Sequence, residues 1–406
     1  MQSESGFFRY EWSVRPGHLV ILCALALLSL GVVMAPSAGL SLNHGQAVTP
    51  EAIAMSRPAM YMALALVAMA LGSVAPVRRA LEARSVWRGP VWLLLLALGA
   101  CLLVYLPSLQ REVNGAKRWI SLDLPGVGPL SVQPSELAKW ASVAFVAWFG
   151  AWRGAEIRRF VGGLGIGLAP VALLAGLILV EDLGTAALIV AVAGLALVAA
   201  GVRWWHVVAL VPAGVGAIAL GILAEPYRMA RLAAFLHPYA DPSGTGYQAI
   251  QSMAAVAGGG GFGRGLGFGI QKFGYLPDDQ TDFIFAIVCE ELGIAGAAVV
   301  ISLLLALLWS GWTIARNEQS RAMRLFALGA LATVGAQAII NLAAVTGLGP
   351  TKGIALPLVS SGGTGWVLTA AALGVLVGMD RRQAKRETAS ASEPTPRHAP
   401  GAHAAL

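Results

Sequence analysis

Ten runs of apolar residues, each near the roughly 20 that a helix needs to cross a bilayer, set the frame of this 406-residue chain. They fall at about 18–37, 58–77, 90–107, 135–151, 161–180, 184–201, 205–224, 281–314, 325–346 and 364–379. The expected fold class is therefore all-α, a polytopic membrane protein with ten transmembrane helices and two long outer loops, 108–134 and 225–280. The eighth run is long enough to tilt or to project beyond the hydrocarbon. Residues 18–36 follow Arg9 and Arg15 as a signal peptide would, but so many similar spans follow that this run is read as a retained first helix. A soluble chain of this length would divide into two or three domains. With 57% hydrophobic and 12% charged residues, one membrane bundle accounts for nearly everything. The expected division is a cytoplasmic segment 1–17, a membrane domain 18–379 and a disordered cytoplasmic tail 380–406. No internal repeat is visible.

The net charge of +7 does not call for nucleic acid, because basic residues at membrane borders orient helices. With the N-terminus inside, 18 Lys and Arg residues fall on inner segments and 9 on outer ones, while Lys139 lies within a helix. The bias puts both termini in the cytoplasm and both long loops outside. Cys23, Cys101 and Cys289 each fall in an apolar span and read as small hydrophobes. The six histidines show no zinc-type spacing. The outer loops hold too many aromatic and apolar residues for disorder, and parts of them are expected to lie on the membrane surface as amphipathic helix.

The chemistry concentrates in residues 276–293, LPDDQTDFIFAIVCEELG. Ionisable groups inside a membrane-length apolar segment are expensive and point to function. If Thr281 opens a helix, Asp282 and Glu290 project about 80° apart and can line one cavity, with Glu291 on the far side. The alternative is that Asp282 caps the helix and the glutamates hydrogen-bond within the bundle. A second constellation is basic: Lys117 and Arg118 in the first outer loop, Arg228 and Arg231 in the second, and Lys352 before the last span. Such residues grip phosphates, or else anchor the chain at the interface by snorkelling. A third is acidic. Glu136 and Lys139 are spaced to pair along one helix face, and Glu181-Asp182 makes a tight re-entry that can border the site. Gly258, Gly260 and Gly263 satisfy G-x-G-x-x-G only because any glycine run does, and no strand precedes them.

Six stretches in order carry a specific resemblance: NGAKRWI (114–120), QPSELAK (133–139), EDLGTA (181–186), the long run 227–252, LPDDQTDFIFAIVCEELG (276–293) and GPTKGIALPLVSSGGT (349–364). Over about 105–379 the chain resembles the SEDS family (shape, elongation, division and sporulation proteins), its cell-division branch most and its elongation branch next. The resemblance implies a peptidoglycan glycosyltransferase that polymerises lipid II, the lipid-linked disaccharide-pentapeptide, on the outer face of the bacterial inner membrane during septal wall synthesis. It implies that Asp282, the aspartate of TDFIF, is the essential acid and general base. Lys117, Arg118 and Lys352 would hold the diphosphate, with Arg228 and Arg231 beside them. Glu290, Glu181, Asp182, Glu136 and Lys139 follow as second-tier candidates. It leaves a divalent cation, Mg or Mn, open as a helper and implies no other cofactor. The implied partners are a class B penicillin-binding transpeptidase, other division proteins and the membrane, with no nucleic acid. A lipid II flippase and a scaffold that recruits a transpeptidase stay open as alternatives. Three departures stand out. PDDQTDFIF replaces the usual PEAHTDFIF, Glu181 abuts Asp182 without the usual proline between them, and Ser361 stands where the family carries an aromatic ring.

Overall fold

A computed structural model describes residues 15–38, 50–85, 89–108, 110–113, 116–124, 128–277, 280–351, 353–361 and 363–392. Each of the ten apolar runs is helical, as hydrocarbon demands of a backbone that finds no water to bond. In order, the helices are α1 (Pro16–Ala38), the short α2 (Pro50–Ala54), α3 (Arg57–Val74), the short α4 (Val77–Leu81), α5 (Val91–Leu103), α6 (Pro134–Trp152), α7 (Ile166–Glu181) and α8 (Leu183–Ala199). Then come α9 (Trp204–Leu223), α10 (Pro226–Leu236), α11 (Tyr247–Gly258), α12 (Ile284–Asn317), α13 (Arg321–Val345) and α14 (Thr364–Ser392). Among the described residues six spans are long and apolar enough to cross a membrane by themselves, and α5 and α8 are shorter apolar helices. α6, α8 and α13 pack on one another, and α12 packs between α1 and α13. α9, with no buried residue, lies at the edge, where its apolar surface requires lipid.

α3 and α14 approach backbone to backbone. A Cβ on Gly72 would strike the Ala371 carbonyl, and one on Gly374 would strike the Met69 carbonyl. Small residues allow this in a membrane, where packing takes over from the hydrophobic effect. α14 also runs on beyond its apolar part to Ser392, so the first part of the expected tail is helical. Gln383 Nε2 donates to the Ile314 carbonyl of α12 at 3.0 Å and Arg15 pairs with Asp380 at 3.4 Å, which holds this extension against its neighbours.

The two long loops depart from expectation in one respect. β1 (Gln110–Val113), β2 (Ala116–Leu124) and β3 (Gly128–Val132) form a three-stranded antiparallel sheet in the order β1-β2-β3. Ile120 pairs with Gln110 on one side and Val132 on the other. The turn-forming pairs Asn114-Gly115 and Pro125-Gly126 fall between the strands. In the second loop α10 is amphipathic, with Ala234 buried.

α12 is not one helix. Gly293 sits at φ 67°, ψ −162°, and splits it into an inner part from Ile284 and a longer part to Asn317. Such a break frees carbonyls before it and N–H groups after it, and in a membrane each must find a partner. The glycine-rich loop supplies them. Arg264 N donates to Glu290 O and Gly265 N to Glu291 O, both at 3.0 Å. Ile294 N and Ala295 N donate to Gly260 O and Gly261 O at 3.0 and 3.1 Å. The contact is too close for side chains: a Cβ on Gly293 would lie 2.6 Å from Gly261 O. The glycine run is therefore a backbone plug in the kink of α12, which explains its composition better than phosphate binding does.

Candidate active site

The inner part of α12 begins at Ile284, with Phe283 as its N-cap, so Thr281 and Asp282 lie in a turn before the helix. The eight-residue projection from a helix opening at Thr281 therefore does not apply. The Asp282 carbonyl falls outside the helical ladder and accepts from Asn341 Nδ2 of α13 at 2.8 Å. Its side chain is half-buried. Asp282 Oδ2 and Arg118 Nη1 lie 3.1 and 3.4 Å from the point where a Cβ on Gly353 would stand, so the acid and the guanidinium converge over a glycine.

Each partner in this convergence is fixed by its own element. Arg118 projects from β2, and its Nε donates to the Glu181 carbonyl at 2.9 Å. The neighbouring Lys117 N donates to Glu181 Oε2 at 2.8 Å. Two bonds thus dock the sheet on the end of α7. Asp182 follows and caps α8, accepting from Thr185 N at 3.0 Å and Thr185 Oγ1 at 2.8 Å. Tyr105, Lys117, Arg118, Ser135, Glu181 and Asp182 line a cavity here. Glu181 and Asp182 border the site and also build it.

Gly353 belongs to a segment pinned at consecutive carbonyls. Asn341 Nδ2 also donates to Ile354 O at 2.8 Å, and Gln337 Nε2 to Ala355 O at 2.9 Å. Leu358 nearby holds φ 63°, a left-handed conformation that a bulky residue adopts only when its surroundings impose it, and it is buried. Arg231 Nη1 donates to Thr351 O at 3.3 Å, with its guanidinium 4.5 Å from the Tyr227 ring. Lys352, Asp278 and Asp279 lie outside the described residues. A second cavity is lined by Arg57, Tyr61, Ser131, Ser361 and Trp366, and its Ser361 is tied to the turn by a bond from Ser361 N to Gln280 O at 3.1 Å. Tyr61 puts an aromatic ring in this cavity, where Ser361 has none.

The other candidates are placed elsewhere. Arg228 donates to Gly221 O at 2.9 Å, Leu179 O at 3.2 Å and Val180 O, which makes it a tie between α7, α9 and α10. Glu290 is 1% exposed and accepts from Ile270 N and Gln271 N at 2.8 and 3.2 Å, with Arg264 at 3.8 Å. Glu291 pairs with the buried Lys272 at 2.8 Å. Both glutamates hold the loop that plugs α12, and neither joins Asp282. Glu136 and Lys139 pair at 2.8 Å as their spacing predicts, and Lys139 also donates to Gln337 Oε1 at 2.9 Å. Sequence reasoning missed Asn341 and Gln337. Their signal was there: two amides four residues apart in an apolar span lie on one face and need partners. Among the described residues no three His, Cys, Asp or Glu side chains come together to hold a metal.

A family profile for FtsW, RodA and SpoVE, described as "Cell cycle protein", matches residues 17–385. The chain is 38% identical over 384 residues to the probable peptidoglycan glycosyltransferase FtsW of Alkalilimnicola ehrlichii, covering 93% of this chain and 92% of that one. It is 34% identical over 373 residues to the stage V sporulation protein E of Bacillus subtilis, covering 90% and 97%. Among solved structures, one described under the coordination of polymerization and crosslinking by a peptidoglycan synthase complex matches with a TM-score of 0.68 and 27% identity, covering 93% and 99%. The rod shape determining protein RodA of Thermus thermophilus matches in fold with a TM-score of 0.62 at 24% identity, covering 92% and 98%.

Proposed function

The chain belongs to the FtsW, RodA and SpoVE family of cell cycle proteins and is a multi-span membrane peptidoglycan glycosyltransferase, and we propose that Asp282 is the general base of its reaction. The observation that carries this reading is the convergence of Asp282, Arg118 and the Gly353 segment. Glycosyl transfer to a hydroxyl needs a base to take the proton and positive charge to stabilise the leaving group. Asp282 takes the acceptor hydroxyl proton as that oxygen bonds to the anomeric carbon. The bond from that carbon to the diphosphate breaks with inversion and no covalent enzyme intermediate. Arg118, Lys117, Lys352 and Arg231 hold the departing diphosphate, whose paired oxygens suit a guanidinium fork. The substrate is lipid II. A divalent cation fits as a helper only if the substrate diphosphate supplies most of its ligands, because among the described residues no three His, Cys, Asp or Glu side chains come together to hold one.

The reaction takes place on the outer face of the bacterial inner membrane, with the termini in the cytoplasm. The Lys and Arg bias supports this sidedness. A cysteine placed at position 319 in intact cells is expected to escape an impermeant thiol reagent, while one in the Gly244 to Tyr275 loop reacts. Labelling at 319 reverses the assignment. A class B penicillin-binding transpeptidase is the partner, and the likeness to a protein of a synthase complex supports that. Purified chain and partner with lipid II are expected to yield glycan polymer, and the chain alone much less. Lipid II moved across protein-only liposomes without any polymer in either reaction would overturn the polymerase reading in favour of a flippase.

A further inference from the structure

We propose that Asn341 is a positioning residue for the transfer, its amide setting the register between Asp282 and the segment that carries Lys352. The inference rests on Asp282 as the base. Asn341 sits near the end of α13 and is 2% exposed. Its NH2 group donates at 2.8 Å to the Asp282 carbonyl and at 2.8 Å to the Ile354 carbonyl. Two acceptors at hydrogen-bond distance admit only the amide nitrogen, so the orientation is fixed by chemistry. Through one group Asn341 therefore bonds both the catalytic turn and the 353–356 segment. Gln337, one turn earlier on the same face, repeats the device at Ala355 and is itself oriented by Lys139. α13 is thus a rail with two amide rungs, and Asn341 is the rung that also holds the base.

The physical consequence is specific. With Asn341 removed, the helix-free Asp282 carbonyl and the Ile354 carbonyl lose their shared donor, and the turn can slide against the segment. A displacement of about 1 Å at a reacting group is enough to cost about 10²-fold in rate. Neither chain loses a group that touches the substrate, so the loss belongs in kcat and not in KM.

The test uses the full chain with its partner and lipid II, and compares Asn341→Ala, which loses both donors, with Asn341→Ser, which keeps one. The expected result is a kcat lowered about 10²-fold for Asn341→Ala and less for Asn341→Ser, at nearly unchanged KM. The loss should also be non-additive with Lys352→Ala, because Asn341 acts by placing that segment. A wild-type kcat in whichever variant folds, a loss confined to KM, or strictly additive losses would overturn the proposal. Asp282→Asn run alongside separates the two readings: full activity there removes the base itself, whereas an inactive Asp282→Asn beside a wild-type Asn341→Ala removes only the positioning role.

Discussion

Replacing Asp282 by Asn lowers glycan polymerisation by a factor of about 10² to 10⁴ and leaves the protein folded. The amide keeps the volume and the polar shape of the carboxylate but cannot take a proton. Folding survives because the amide is nearly isosteric with the carboxylate and the backbone carbonyl of this residue keeps its bond from Asn341. The side chain is only half-buried, at a turn and not within a packed span. The measurement is glycan length on a gel, from equal amounts of monodisperse wild type and variant with the partner present. Wild-type-length product from the variant would remove Asp282 from the mechanism. The role would not then pass to Glu290, whose oxygens already accept two backbone N–H groups of the plugging loop in a site closed to solvent. It would have to pass to a group nearer the cavities, and Glu181 at the edge of the first cavity is the next one to test.

The helices were legible because each apolar run is set by one physical requirement, a backbone satisfied within its own segment, and that requirement is local. The Glu136–Lys139 pair was legible for the same reason, since three residues along a helix bring two side chains together. The sheet in the first long loop was not read, although its turn pairs were present, because short strands carry a weak alternation signal. The kink at Gly293 and the uses of Glu290 and Glu291 were illegible for a deeper reason. Their partners are the loop from Gly260 to Lys272 and Ser37 of α1, and the last of these lies 254 residues away in sequence. A buried carboxylate looks the same in a sequence whether it performs chemistry or holds a loop. Only tertiary contacts separate the two, and here they bring Asp282 to Arg118 over Gly353 and the glutamates to the plug. Lys272 shows the same ambiguity from the other side: counted by sequence as an outer-loop cation, it is fully buried.

That burial gives the largest expected effect on stability. Lys272→Met is predicted to destabilise the fold by about 3–5 kcal/mol, the usual result of stranding one member of a buried ion pair. Lys272 and Glu291 are both 0% exposed, and their Nζ and Oε1 are 2.8 Å apart. The Glu291 carboxylate also accepts from Ser37 Oγ at 3.0 Å and from Gly267 N at 3.0 Å, so one charged group ties α1, the plugging loop and the kink of α12 together. Without the ammonium the carboxylate must stay charged in a dry site or take up a proton, and both cost free energy. The double variant Lys272→Met/Glu291→Leu should recover much of the loss, because removing both charges also removes their desolvation cost. Loss of the single residue should act on catalysis too, since the plug fixes the kink and the inner part of α12 runs from that kink to the turn of Asp282. The check is thermal melting in detergent of wild type, Lys272→Met and the double variant, with polymerisation measured on each below its melting point. A single variant that melts with the wild type would show that the pair does not hold the plug. A double variant as unstable as the single would show that the loop depends on the particular hydrogen bonds of Glu291 more than on charge balance.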